Sequence, residues 1–189
     1  MQKTLIALTS LLLLCGTSQA MARKAVEPKN VYGWVEHTTL LPWGVKLKAK
    51  LDSGALTSSL HAIDVQTFER DGEKWVRFTV NVKDLDSGKM VAKTFEKPRF
   101  RRVLIRGAGG EERRPVVLMQ LCMGDTLYEE QFTLNDRSDM NYPVLLGRRT
   151  LSHLGYLDVT ETFLHNPTCT EESTVKQHKE EDDDEDIHD

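Results

Sequence analysis

Residues 43–55 read WGVKLKAKLDSGA. Trp43, Val45, Leu47, Ala49 and Leu51 alternate with Lys46, Lys48 and Lys50. A period of two gives one apolar and one wet face only when the chain is an extended strand. That strand runs without a break into Asp52-Ser53-Gly54-Ala55. Glycine lets the backbone turn at once and lets another segment approach closely, so Asp52 is expected on a stiff strand end. Asp-Ser-Gly is also common in ordinary turns, and the triplet alone does not decide the chemistry.

Working outward, the same period recurs. Lys74 to Val80 alternates after Asp71-Gly72, a pair suited to a hairpin turn. Phe100–Ile105 and Arg114–Met123 flank the turn Gly107-Ala108-Gly109-Gly110, Leu127–Leu134 alternates again, and Pro143–Leu146 is a short apolar strand closed by Gly147. Arg149–Leu154 offers helical turns before the strand-like Gly155–Val159. Many short strands between Gly and Asp turns predict an all-β antiparallel sandwich or barrel with one short C-terminal helix. Strand and helix do not alternate, which argues against a parallel α/β sheet.

The two ends read differently. Residues 1–20 carry Lys3, an apolar run from Leu5 to Cys15 and Ser18-Gln19-Ala20, the layout of a cleaved signal peptide. The run is short of the ~20 residues that cross a bilayer. Leu14 before Cys15 is not the small residue that a lipid-modified cysteine normally follows. A periplasmic or secreted product is expected, with no membrane attachment after processing. Residues 21–30 form an extension, 31–165 one domain and 166–189 a disordered acidic tail. The tail from 171 has 2 Lys and Arg against 10 Asp and Glu, whereas residues 21–170 have 22 against 19. An acidic tail on an exported protein argues against nucleic acid as partner. Of the three cysteines, Cys122 and Cys169 outlast the leader, as one disulfide or as two free thiols.

Gly33-Trp34-Val35, Lys50–Ala55, Thr57–Ala62, Arg114–Val117, Thr133–Arg137 and Leu145–Arg148 together resemble the bacterial family labelled ATP-dependent zinc protease and also described as retropepsin-like. The likeness spans about residues 31–160. It implies a closed β-barrel of the acid-protease type, with Asp52 as the catalytic aspartate. Ser53 would take the threonine position and brace the loop by its hydroxyl, and Gly54 would allow close approach between loops.

Acid-protease chemistry needs two carboxylates sharing a proton, and this body has one triplet. The resemblance therefore implies a symmetric homodimer in which two copies of Asp52 meet on a two-fold axis. It would act as an aspartic-type endopeptidase or amide hydrolase, with Val82–Lys89 a candidate flap. The alternatives are a non-catalytic binding module on the same fold and, further off, a zinc-dependent protease. No HExxH and no paired-histidine spacing occurs, and His61 with Asp52 is the nearest approach to a zinc pair. No GxxxxGK[ST] is present to hold ATP, so no cofactor or metal is expected. Arg101, Arg102, Arg106, Arg113, Arg114, Arg137 and Arg148 could pair with an acidic or glutamyl-type peptide. The reading favoured for Arg137 and Arg148 is that they tie loops together.

Overall fold

A computed structural model of the chain describes residues 30–107 and 110–177. The expected leader, most of the extension, Ala108-Gly109, the Arg106 side chain and the run Glu180–Asp186 lie outside the described residues. The strands are β1 (Asn30–Gly33), β2 (Val35–Leu41), β3 (Val45–Leu51), β4 (Ser58–His61), β5 (Ile63–Arg70), β6 (Glu73–Lys83) and β7 (Met90–Pro98). Then come β8 (Arg101–Gly107), β9 (Gly110–Met123), β10 (Thr126–Asn135), β11 (Val144–Leu146), α1 (Arg148–Leu154), β12 (Gly155–Asp158) and β13 (Val175–Lys176).

The lysine-striped strand behaves as its period dictates. Val45, Leu47, Ala49 and Leu51 are buried on β3, and the lysines between them face outward. Its neighbours run β10-β4-β11-β3-β2-β9, and β9 pairs again with β10, so six strands return on themselves as a ring. Leu40, Leu47, Leu60, Val117, Leu121, Phe132 and Leu146 fill it. Burying a Leu or Phe side chain contributes ~1.5–3 kcal/mol, so this interior dominates the fold's stability.

The ring is all-β, as predicted, but not uniformly antiparallel. β11 runs parallel to β3 and antiparallel to β4, while β10 runs parallel to β4 and to β13. The cause is topological. β3 and β4 are joined by the loop that holds Asp52, and β11, arriving from far along the chain, lies between them. Inserted between two antiparallel strands, it must be parallel to one.

A second sheet, β5-β6-β7, packs beside the ring. Its β5–β6 turn has Asp71 at φ 51° and Gly72 at φ 80°, the two left-handed residues of a type I′ hairpin. Val76, Phe78, Val80 and Phe95 join the core. The β6–β7 tip is docked rather than free. The Lys46 amide donates to Asp84 Oδ1 at 3.2 Å, and the Leu85 amide to the Lys46 carbonyl at 3.0 Å. Val82–Lys89 was the candidate flap over a cleft between subunits. The tip instead sits at the start of β3, six residues or about 20 Å of strand from the Asp52 carboxylate.

The C-terminal part also differs from expectation. Residues 166–177, assigned to the tail, lie on the body. Cys169 is bridged to Cys122 with Cα atoms 5.9 Å apart, which decides between the two cysteine readings, and β13 extends β10. Glu36, fully buried, accepts from the amides of Gly33 at 2.7 Å and of Leu164 and His165 at 3.0 Å each. A buried carboxylate persists when its lone pairs are met in this way, and here it ties the first strands to the segment that follows β12.

Two outcomes are expected. Cys122→Ser with Cys169→Ser opens a 47-residue loop, and urea unfolding should show a loss of about 2–4 kcal/mol. The Ser87 hydroxyl and amide hold the Asp84 carboxyl down to about 2. A depressed carboxyl stabilises in full above its unfolded pKa of about 4 and loses that effect as pH falls through the folded value. The Leu85 amide resonance should therefore stay fixed above pH ~4 and move as pH drops toward 2.

Candidate active site

Asp52 follows β3 directly, and both ends of its peptide are held. The Leu51 amide donates to the Trp34 carbonyl at 2.9 Å, and the Asp52 amide to the Leu146 carbonyl at 2.8 Å. The chain then turns, with the Ala55 amide reaching back to the Asp52 carbonyl at 3.3 Å. Each oxygen of the carboxylate has a donor. Gly54 N donates to Oδ1 at 2.9 Å, and Lys50 Nζ to Oδ2 at 3.0 Å. A Cβ on Gly54 would sit 3.1 Å from Oδ1, so the glycine makes room for its own neighbour's carboxylate.

These contacts set the charge. The Lys50 hydrogen bond is the largest influence and lowers the Asp52 pKa; partial burial opposes it, and the Gly54 and Ala55 amides add to the lowering. Asp52 is a quarter exposed and ionised at neutral pH, as a general base must be. The partnership with Lys50 is missing from the sequence reading, although a signal existed. Side chains two apart on a strand share a face, so the lysine stripe runs on into Asp52.

The loop rests on the segment β11–Gly147–α1. A Cβ on Gly147 would lie 2.7 Å from the Leu56 carbonyl oxygen and 2.8 Å from the Thr57 carbonyl carbon; only glycine permits that approach. The Arg148 and Arg149 amides donate to the carbonyls of Ala55 (2.8 Å) and Leu56 (3.2 Å). Arg148 Nη1 donates to the carbonyls of Ser53 (3.0 Å) and Gly54 (3.2 Å). Ser53 was expected to brace the loop through its hydroxyl. That side chain is exposed and bonds to none of the described residues; within the chain, Arg148 holds the loop by its carbonyls. Behind the loop, Ser58 Oγ accepts from the Gly147 amide at 3.0 Å and meets Thr150 Oγ1 at 2.8 Å; Thr150 Oγ1 donates to buried Glu130, which also bonds His153.

His61 stands apart from Asp52. Its Nδ1 accepts from the Arg137 amide at 2.9 Å, and its ring also bonds the Asn81 backbone. Burial lowers its pKa, against the pull of Asp136. With Nδ1 accepting, the 3.7 Å approach of Asp136 is not an ion pair. His37 bonds Asn166 at 3.0 Å and stacks on Phe163. Both histidines are committed, and among the described residues no three His, Cys, Asp or Glu side chains converge as metal ligands. These residues do not fit a zinc centre.

Arginines surround the loop. Arg137 Nε donates to the Tyr142 carbonyl at 3.0 Å, so this arginine and Arg148 do tie loops. Arg101 and Arg149 each reach Thr57 Oγ1 at 3.4 Å. Arg101 begins β8, which among the described residues pairs only with β9 and forms an edge hairpin at the ring. Arg102, Arg113 and Arg114 from that hairpin line a cavity of about 590 Å³ with Asp64, Glu112 and Asp136.

Residues 31–168 match the RimB-like family, described as retropepsin-like aspartic endopeptidase RimB. A protein of Shewanella pealeana named "Probable alpha-L-glutamate ligase" is 36% identical over 117 residues, 62% of this chain and 25% of its own. One of the same name from Desulfotalea psychrophila is 34% identical over 125 residues, 65% of this chain and 26% of its own. The chain thus spans about a quarter of the curated relatives it matches. The crystal structure of Lpg0085, a Legionella pneumophila protein of unknown function, aligns with a TM-score of 0.60 at 36% identity, covering 71% of this chain and 96% of that one.

The support beneath the loop is directly testable. Gly147→Ala should lose at least about 2 kcal/mol in urea unfolding, because the new methyl meets backbone rather than a side chain that can swing away. Amide exchange of Asp52 and Ala55 should accelerate along with it.

Proposed function

The chain belongs to the RimB-like family of retropepsin-like aspartic endopeptidases, and on that premise we propose that it is an exported aspartic-type peptidase, active as a homodimer on acidic, glutamyl-type peptide amides. The observation that carries this reading is an ionised Asp52 at the end of a braced strand, one per chain, with Lys50 and Gly54 on its two oxygens. A single carboxylate can take a proton from water but cannot also donate to the amide carbonyl. A second copy across a two-fold axis supplies the missing group.

In that pair one Asp52 stays ionised and draws the proton from the attacking water, whose oxygen bonds to the amide carbon. The other, protonated because like charges a few ångströms apart cannot cheaply both ionise, donates to the carbonyl oxygen. The tetrahedral intermediate then loses the amine, which leaves with a proton from the pair. Each role needs the carboxylates fixed in place, which the hydrogen bonds of Arg148 and the β11 contact favour.

The substrate class rests on charge. Arg101 and Arg149 reach the loop at Thr57, and Arg102 and Arg113 line the cavity at the β8–β9 hairpin, where Arg114 is paired with Glu112. Guanidinium forks match carboxylates bidentately. The glutamate-ligase names of the relatives point to the same chemistry. The signal-like leader supports export, and the Cys122–Cys169 bridge suits an oxidising compartment.

Hydrolysis of a glutamate-rich peptide by the full chain, followed by mass spectrometry, is the test. Asp52→Asn should lower the rate by about 10²–10⁴-fold, and a lysine-rich peptide of equal length should be cleaved poorly. Adding excess Asp52→Asn protein to wild type should suppress the remaining activity, since mixed dimers hold one carboxylate. Full activity in the variant rules out Asp52 as the base, and unchanged activity in the mixture rules out a shared site.

A further inference from the structure

The three lysines on the outer face of β3 have different partners. Lys46 Nζ lies 3.4 Å from Asp86, Lys48 Nζ lies 5.4 Å from the centre of the Phe163 ring, and Lys50 Nζ lies 3.0 Å from Asp52 Oδ2. Only Lys50 reaches the carboxylate proposed as the base. The cations facing Asp52 from other elements are engaged elsewhere. Arg148, from α1, is spent on the Ser53 and Gly54 carbonyls, and Arg137, after β10, on the Tyr142 carbonyl. Burial lowers the Arg137 pKa and the Asp52 charge raises it, so that guanidinium feels the carboxylate without bonding it. Among the described residues Lys50 is the one ammonium or guanidinium bonded to Asp52.

We propose that Lys50 is a positioning residue of the site: its ammonium fixes the rotation of the Asp52 carboxylate and keeps it in the ionised, base-competent form. This rests on the reading of Asp52 as the base. With Gly54 N on Oδ1 and Lys50 on Oδ2, the carboxylate plane is set from both sides. In a two-fold pair each carboxylate then arrives with its own ammonium. The ammoniums lower the pH at which the pair takes up a second proton, while the two carboxylates, still close together, share one. Lys50 thus sets the acid limit below which the site loses its base. Because Lys50 is more than a third exposed and Asp52 a quarter exposed, solvent and salt screen the pair.

The experiment follows the Asp52 side-chain carboxyl carbon by NMR through a pH titration of the full chain, the signal being assigned by its loss in Asp52→Asn. In Lys50→Met the midpoint should rise by about one pH unit, and in Lys50→Arg it should return to the wild-type side. Raising the salt should move the wild-type midpoint upward and leave Lys50→Met nearly unchanged. The acid limb of kcat/KM on the glutamate-rich peptide should shift upward with the Lys50→Met midpoint. A midpoint identical in wild type and Lys50→Met, in protein with an unaltered amide spectrum, overturns the proposal, as does a shifted midpoint with an unmoved acid limb. If no protein cleaves the peptide, the peptidase reading fails, and the midpoints alone decide whether Lys50 governs Asp52.

Discussion

The amide of Asp52 donates to the carbonyl of Leu146, and one residue later Gly147 lies against the backbone of Leu56 and Thr57 at a distance no side chain can share. The rest of the structure depends on this wedge. It closes the ring between β3 and β4 and carries α1 under the loop. It also brings Arg148 within reach of the Ser53 and Gly54 carbonyls. The Asp52 loop needs the wedge for its backbone partners, because a short exposed turn has too few of its own. A carboxylate on such a turn would otherwise wander, and catalysis by positioned groups tolerates little wandering.

Charge is arranged around that loop with a consistent sign. The ammonium of Lys50 and the arginines near Thr57 produce a cationic rim around one anionic group. Such a rim holds the Asp52 carboxylate ionised by Coulombic attraction. Arg137 and Arg148 are tied to backbone carbonyls, whereas Arg102 and Arg113 line an open cavity. A rim of this kind also separates the site from a zinc hydrolase, whose ligands must be neutral imidazoles or anions with lone pairs to spare. His61 has none free on Nδ1, which already accepts from an amide.

Several particular readings failed for identifiable reasons. Val82–Lys89 is polar and tops a hairpin, which is all that a sequence can say of a flap; its attachment to Lys46 runs through Asp84, 38 residues away, and the Leu85 amide. The hydroxyl of Ser53 has the right chemistry to brace a loop, but in one chain it points to solvent while an arginine 95 residues on does that work. Residues 166–177 look like the start of an acidic tail because their composition is polar. Cys169 binds them to the body through a partner that composition cannot identify.

Local repulsion and attraction between side chains and water were enough to read much of this protein from its sequence. The lysine stripe fixed β3 and its buried face. Asp71-Gly72 fixed a hairpin, the strand-rich spacing fixed an all-β body, and Gly54 flagged the Asp52 turn as a place of close approach. These follow from periods and backbone freedom that act over a few residues. Tertiary structure alone decided the parallel insertion of β11, the Cys122–Cys169 bridge, the burial of Glu36 beneath three amides and the docking of the β6–β7 tip. Each joins segments distant in sequence, and the free energy that selects one such pairing over another lies in contacts that exist only after the chain has closed on itself.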